Sequence, residues 1–107
     1  MFYSASHSDG SSLESEALDS NSNSTTDSLY INGNTSIGMY VYANSGTNTT
    51  HVITIQISMN GSDWQDSSYT VTGAGFVEGT TSAQYIRGKV TTAQGALSTC
   101  DIHIASK

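Results

Sequence analysis

Asp101 and His103 stand two apart in "TCDIHI", a spacing that in an extended chain puts both side chains on one face, opposite Ile102 and Ile104. A carboxylate beside an imidazole is the start of general acid-base chemistry or of a metal site, but either needs a further group within reach. The remaining histidines, His7 and His51, complete no H-x-x-x-H or H-E-x-x-H spacing. A solvent-facing pair is therefore the expectation. Asp63 and Asp66 flank Trp64 in "NGSDWQD", and oxygen-rich turns can hold calcium, yet the EF-hand spacing is missing and a solvated turn is expected. Serines are abundant without a G-x-S-x-G elbow, and "GTTSAQYIRGKV" ends in Gly-Lys with Val90 where a phosphate-binding loop needs Ser or Thr. Cys100 is the single cysteine, so it forms no internal disulfide; its setting predicts a thiol packed inside a strand. These residues predict a protein that is not an enzyme, with no catalytic residues, no metal and no cofactor.

Composition narrows the partners. The 107 residues suffice for one domain with a thin core. Ser, Thr, Asn and Gly make up 50 of them, while only 11% are charged, which is the profile of a β-protein with neutral polar faces. Arg87, Lys89 and Lys107 are the only permanent cations against a net charge of −6, so clustered phosphate contacts are not available for nucleic acid, nor for an anionic membrane. The opening "MFYSASHSDG" has neither a cationic start nor an apolar core, and no run of 18 apolar residues occurs, which predicts synthesis in a cytoplasm without insertion in a membrane.

Charge divides the chain in two. Residues 1–24 hold four of the nine acids and no Lys or Arg, a composition that disfavours independent folding and predicts an extended N-terminal arm, flexible or ordered by a partner. Phe2 and Tyr3 form an apolar tip on that tether, suited to docking on a neighbouring subunit. From residue 25 to 107 period-two alternation takes over. "SLYI", the Asn32-Gly33 pair and "SIGMYVYA" read as a first hairpin with Ile37, Met39 and Val41 inward and Tyr40 and Tyr42 outward. "HVITIQISM" is the clearest strand, with Ile53, Ile55 and Ile57 on one face, followed by a turn at Asn60-Gly61 and a short strand, "SSYTVT". "GAGFVEGTTS" reads as a glycine-punctuated connection. "AQYIRGKVTT" turns Ile86 and Val90 inward and Tyr85, Arg87 and Lys89 outward, and "LSTCDIHI" turns Cys100, Ile102 and Ile104 inward.

About six short strands with hairpin turns and no helical period predict an all-β fold, an antiparallel β-sandwich of jelly-roll-like or Ig-like type over residues 25–107. Trp64 is expected to cap the end of the core over Ile57 and Met59. With no Pro and few bases to blunt the sheet edges, a homo-oligomer or larger assembly is expected. The candidate interface residues are Phe2, Tyr3, Tyr40, Tyr42, Tyr85 and Arg87, whose aromatic bodies and polar tips suit protein contacts and can also stack on a glycan.

The stretch from Val52 to Lys107, with "VITIQISMNGSDWQD", "AQYIRGKVTT" and "STCDIHIAS", resembles small β-sandwich virion proteins of tailed bacteriophages, among them head decoration or cement proteins and related tail or fibre modules. The strand, Gly turn, Trp and Tyr-Ile-Arg strand are also similar to discoidin-like carbohydrate-binding domains. The phage resemblance implies a structural subunit on the capsid surface of a virion that binds the major capsid protein or other virion subunits. The second resemblance implies a carbohydrate- or receptor-binding module of a tail or fibre.

Overall fold

The computed structural model describes residues 11–13, 17–19, 24–31, 33–46, 50–92 and 98–107. Among them run nine strands and no helix: β1 (Ser11–Leu13), β2 (Ala17–Asp19), β3 (Leu29–Tyr30), β4 (Ser36–Gly46), β5 (Val52–Ser58), β6 (Gln65–Thr72), β7 (Gly75–Thr80), β8 (Tyr85–Thr92) and β9 (Ser98–Ser106). They form two antiparallel sheets. The first has the order β1-β9-β4-β7, with β2 also on β9; the second has the order β3-β8-β5-β6. This is the antiparallel β-sandwich that the alternation predicts.

Its core is built from the inward half of each alternating pattern. Ile37, Met39 and Val41 on β4 and Cys100, Ile102 and Ile104 on β9 face Ile53 and Ile55 on β5 and Ile86 and Val90 on β8, all buried in one cluster. Burial of each such aliphatic side chain contributes roughly 1.5–3 kcal/mol, against which the chain's ordering entropy is set. The sheets interlock where a large residue meets none: a Cβ at Gly88 would lie 3.3 Å from the Met39 sulfur and 3.5 Å from Ile102 Cγ2. Cys100 lies fully inside this cluster, and burial, helped by the neighbouring Asp101 charge, pushes its thiol up to about 11.

Two expectations are corrected by the topology. Asn32-Gly33 does not close a hairpin, because β3 pairs with β8 in the second sheet while β4 pairs with β7 and β9 in the first. The turn, with Asn34 N donating to Ile31 O at 2.8 Å, carries the chain from one sheet to the other. "GAGFVEGTTS" is no mere connection, since β7 pairs with β4 from Ser36↔Thr80 to Val41↔Gly75. Of the N-terminal stretch, β1 and β2 border β9, with Ser11↔Ser106 and Leu13↔Ile104 on β1 and Ala17↔Asp101 and Asp19↔Thr99 on β2. The residues that follow, 24–31, border β8 and the residue before it through Val90 N to Ser24 O, Thr26 N to Gly88 O and Ile31 N to Gln84 O, each 2.9 Å. Backbone pairing, which needs no apolar side chain, is what a polar segment can offer to an open sheet edge. Phe2 and Tyr3 lie outside the described residues.

The opposite flank is closed by a side chain. Tyr69 on β6 reaches across to β7, where its hydroxyl donates to Thr80 O at 3.0 Å and accepts from Thr80 N at 3.2 Å. The ring occupies the space over Gly79, where any Cβ would collide with it.

Candidate functional site

The two outer faces of the sandwich carry the side chains that alternation turns away from the core. On the first sheet, Tyr40 of β4 stands opposite Phe76 of β7 and His103 of β9, and Tyr42 stands opposite Asp101. Their rings form a ridge across three strands. Tyr40 and Phe76 lie 5.1 Å apart at 15°, Tyr40 and Tyr42 6.4 Å apart at 23°, and His103 meets Tyr42 edge-on at 5.5 Å and 76°. Phe76 remains 62% exposed and Tyr42 45%, so the ridge leaves apolar area in water. Glu78, exposed and opposite Gly38, borders it two residues on from Phe76.

The outer face of the second sheet is organised by hydrogen bonds. Gln56, although outward on β5, is only 6% exposed, and its amide is held at both ends: Nε2 donates to Asp66 Oδ1 at 2.7 Å, and Oε1 accepts from Arg87 Nε at 2.8 Å. The Arg87 guanidinium lies over the Trp64 ring, 4.3 Å from its centroid, a cation–π contact that also shields the indole. Partial desolvation lowers the Arg87 pKa from its ordinary value, yet a guanidinium stays charged. Further along, Thr54 and Thr91 hydroxyls meet at 2.9 Å, and Tyr85 stacks obliquely on Tyr30 at 5.2 Å.

Trp64 is thus placed differently from the expectation. It is half-buried against Arg87 and contributes nothing to the core cluster, while Met59 is 64% exposed. The reason lies in the turn before it. Ser58 Oγ accepts from Asn60 N and Gly61 N, and Asn60 Oδ1 accepts from Ser62 N and Asp63 N, a tight capped loop with Gly61 at φ 79°. That loop delivers Trp64 to the outside of the sheet; its positive φ is what asks for glycine at Gly61, since a Cβ there would meet the Tyr85 ring at 3.4 Å, an ordinary contact.

The groups considered for chemistry are dispersed. His103 serves the ridge and His51 is buried just ahead of β5. Asp63 accepts from Asn60 Nδ2 at 2.9 Å, whereas Asp66 is tied to Gln56. Among the described residues no group of three His, Cys, Asp or Glu is placed to hold a metal. A cleft of about 370 Å³ opens at the end of the sandwich beside the Asn60-Gly61 turn, lined by Ile57 and Ala83 among others; of the described residues that line it, Asp63 is the one that titrates.

Of the six candidate interface residues, the structure gathers Tyr40 and Tyr42 on one outer face and Tyr85 and Arg87 on the other. Phe76, the most exposed ring of the ridge, was hidden from sequence reading because Gly75 and Gly79 disguise its strand; the alternation of Phe76 and Glu78 around Val77 was the available signal.

No protein-family model and no curated protein matches the sequence. Among solved structures, the chain is similar to the crystal structure of SPBc2 prophage-derived protein YomS, with a TM-score of 0.67 over 92% of each chain at 10% sequence identity. At that identity the likeness is one of fold.

Proposed function

We propose that this chain is a non-enzymatic structural protein of a bacteriophage virion, a head decoration or cement protein that binds the major capsid protein and stabilises the shell through repeated subunit contacts. The observation that carries this reading is the ring ridge of Tyr40, Tyr42, Phe76 and His103, an apolar outer face left in water. Aromatic residues anchored in this way are what the centres of protein interfaces are made of. The prophage origin of a protein with the same fold supports the setting. Its mechanism is multivalency: many modest contacts, each repeated by shell symmetry, raise the barrier to rupture without one strong site.

The test is co-sedimentation of the purified chain with heads of the phage that encodes it, followed by location of its density on the particle. Binding to expanded heads that Phe76→Ser abolishes is the expected result; absence of the chain from heads refutes the decoration role. A second reading, a carbohydrate- or receptor-binding module of a tail or fibre, is favoured by the same exposed rings, since sugars stack on aromatic faces. Tyr40 and Phe76, however, already turn a face toward each other in an offset stack. Glycan-array binding lost in Tyr42→Ala would establish the second reading in place of the first.

A further inference from the structure

The two outer faces differ in charge as well as in texture. The ridge face carries Glu78 beside Phe76 and Asp101 opposite Tyr42, with Lys107 past the end of β9. The other face carries Arg87 and Lys89, two of the three permanent cations in a chain of net charge −6, against the one carboxylate of Asp66 that Gln56 already engages, next to the half-exposed Tyr30. Arg87 is also pre-organised. Its ring contact with Trp64 and its Nε bond to Gln56 fix the guanidinium plane, and Gln56 is itself fixed by Asp66. The bond to Gln56 uses Nε and leaves the two terminal nitrogens of the partly exposed side chain as further donors, and among the described residues neither Asp27 on the bordering segment nor Asp66 forms an ion pair with them. A planar fork of N–H donors held in this way is suited to receive a carboxylate in two parallel hydrogen bonds, with little side-chain entropy left to lose.

We infer that two copies of this chain associate head to tail, the ridge face of one lying on the Arg87 face of the next, with Glu78 of one copy bound by the Arg87 fork of its neighbour. The occupant is a second copy because this chain itself supplies the complementary surface: exposed rings bordered by a carboxylate on one side, a fixed guanidinium bordered by Lys89 and Tyr30 on the other. Because the two patches are different surfaces, the contact is heterologous. It leaves each copy with one unused face, so association continues into a ring or an open row instead of stopping at a two-fold dimer. This deepens the repeated subunit contacts of the reading above by giving the ridge to the neighbouring copy, so that the row and not the single ridge meets the shell; it rests on that reading for its biological setting, but it is measured on the purified chain alone.

Sedimentation velocity over a concentration series is the experiment, with three proteins. The wild type is expected to form species larger than dimers, weakening as salt is raised. Glu78→Lys with Phe76→Ser disables the ridge face, and Arg87→Gln disables the other; each alone is expected to remain monomeric at concentrations where the wild type associates. Mixed together, the two variants are expected to form a one-to-one dimer and nothing larger, since one good face of each kind survives. A wild type that stays monomeric overturns the inference, as does a mixture that fails to associate, or single variants that still self-associate like the wild type. Thermal melts check that the variants fold. Should Arg87→Gln unfold, Lys89→Glu, which touches neither Trp64 nor Gln56, replaces it. Head binding by a chain that never self-associates would sink this inference and leave the decoration reading standing; self-association without head binding would do the reverse.

Discussion

The outer face of the second sheet uses its polar groups on itself, whereas the outer face of the first leaves its rings to the solvent. Asp66, Gln56, Arg87 and Trp64 form a linked chain of contacts, and Thr54 with Thr91 a separate pair, so removing Gln56 strands both Asp66 and Arg87. Tyr40, Tyr42, Phe76 and His103 pack ring against ring, and Tyr42 and Phe76 keep much of their area exposed. The contrast teaches where stability and function separate in a small sandwich. A face knitted by hydrogen bonds to half-buried partners is part of the fold, while a face of stacked, exposed rings gains by finding a partner.

Measurements can break this contrast or sharpen it. The largest effect belongs to the core that both faces share and supplies the baseline. Burial holds the Cys100 thiol at about 11 in the folded chain, while an unfolded thiol titrates at about 8.5. The contribution is therefore complete below the unfolded value and is lost as pH rises through the folded one, about 3 kcal/mol in all. Urea melts between pH 7 and 11 should show this alkaline loss in the wild type and a smaller one in Cys100→Ala. Next, Gln56→Leu should cost about 2 kcal/mol, since Asp66 and Arg87 lose their partner and only partly regain water. Trp64→Ala should cost about 1–2 kcal/mol, because the ring is half-buried and its cation–π contact is partly solvated. Smallest in stability is Phe76→Ser, expected within about 0.5 kcal/mol of the wild type although it abolishes association. If Phe76→Ser unfolded the protein and Gln56→Leu did not, the roles assigned to the two faces would be reversed.

Much of the sandwich was legible because its strands alternate cleanly. Ile53 and Ile55, Ile37, Met39 and Val41, Ile86 and Val90, and Cys100, Ile102 and Ile104 all lie inward as their spacing requires, and Tyr40 and Tyr42 lie outward. The Asn60-Gly61 turn does join two paired strands, β5 and β6. The similar Asn32-Gly33 does not, because a turn signal specifies a local bend and not which strands will find partners. Pairing of β1 and β2 was illegible for a related reason: the attraction is between backbone groups, and Ser11 or Asp19 carries no mark of the β9 edge that it borders. Trp64 was misplaced because a large aromatic suits the core by composition, and only the capped geometry of the preceding loop directs it to Arg87. The Tyr69 bridge required knowing that Gly79 lies beneath it, a contact between residues ten apart that straddle two sheets.

Ser11 pairs with Ser106 across almost the full length of the described chain, and Leu29 with Ile86. Strands far apart in the chain therefore find their places side by side, and those placements close very long loops before any contact compensates the lost entropy. Such a topology belongs with slowly folding proteins, and until β1, β2 and β3 dock, one edge of β9 and one of β8 stand open. Completion of the two sheets is in this sense a timing device: the last borders to be covered are those most able to pair with another chain, so yield during synthesis depends on folding outpacing encounters between unfinished copies.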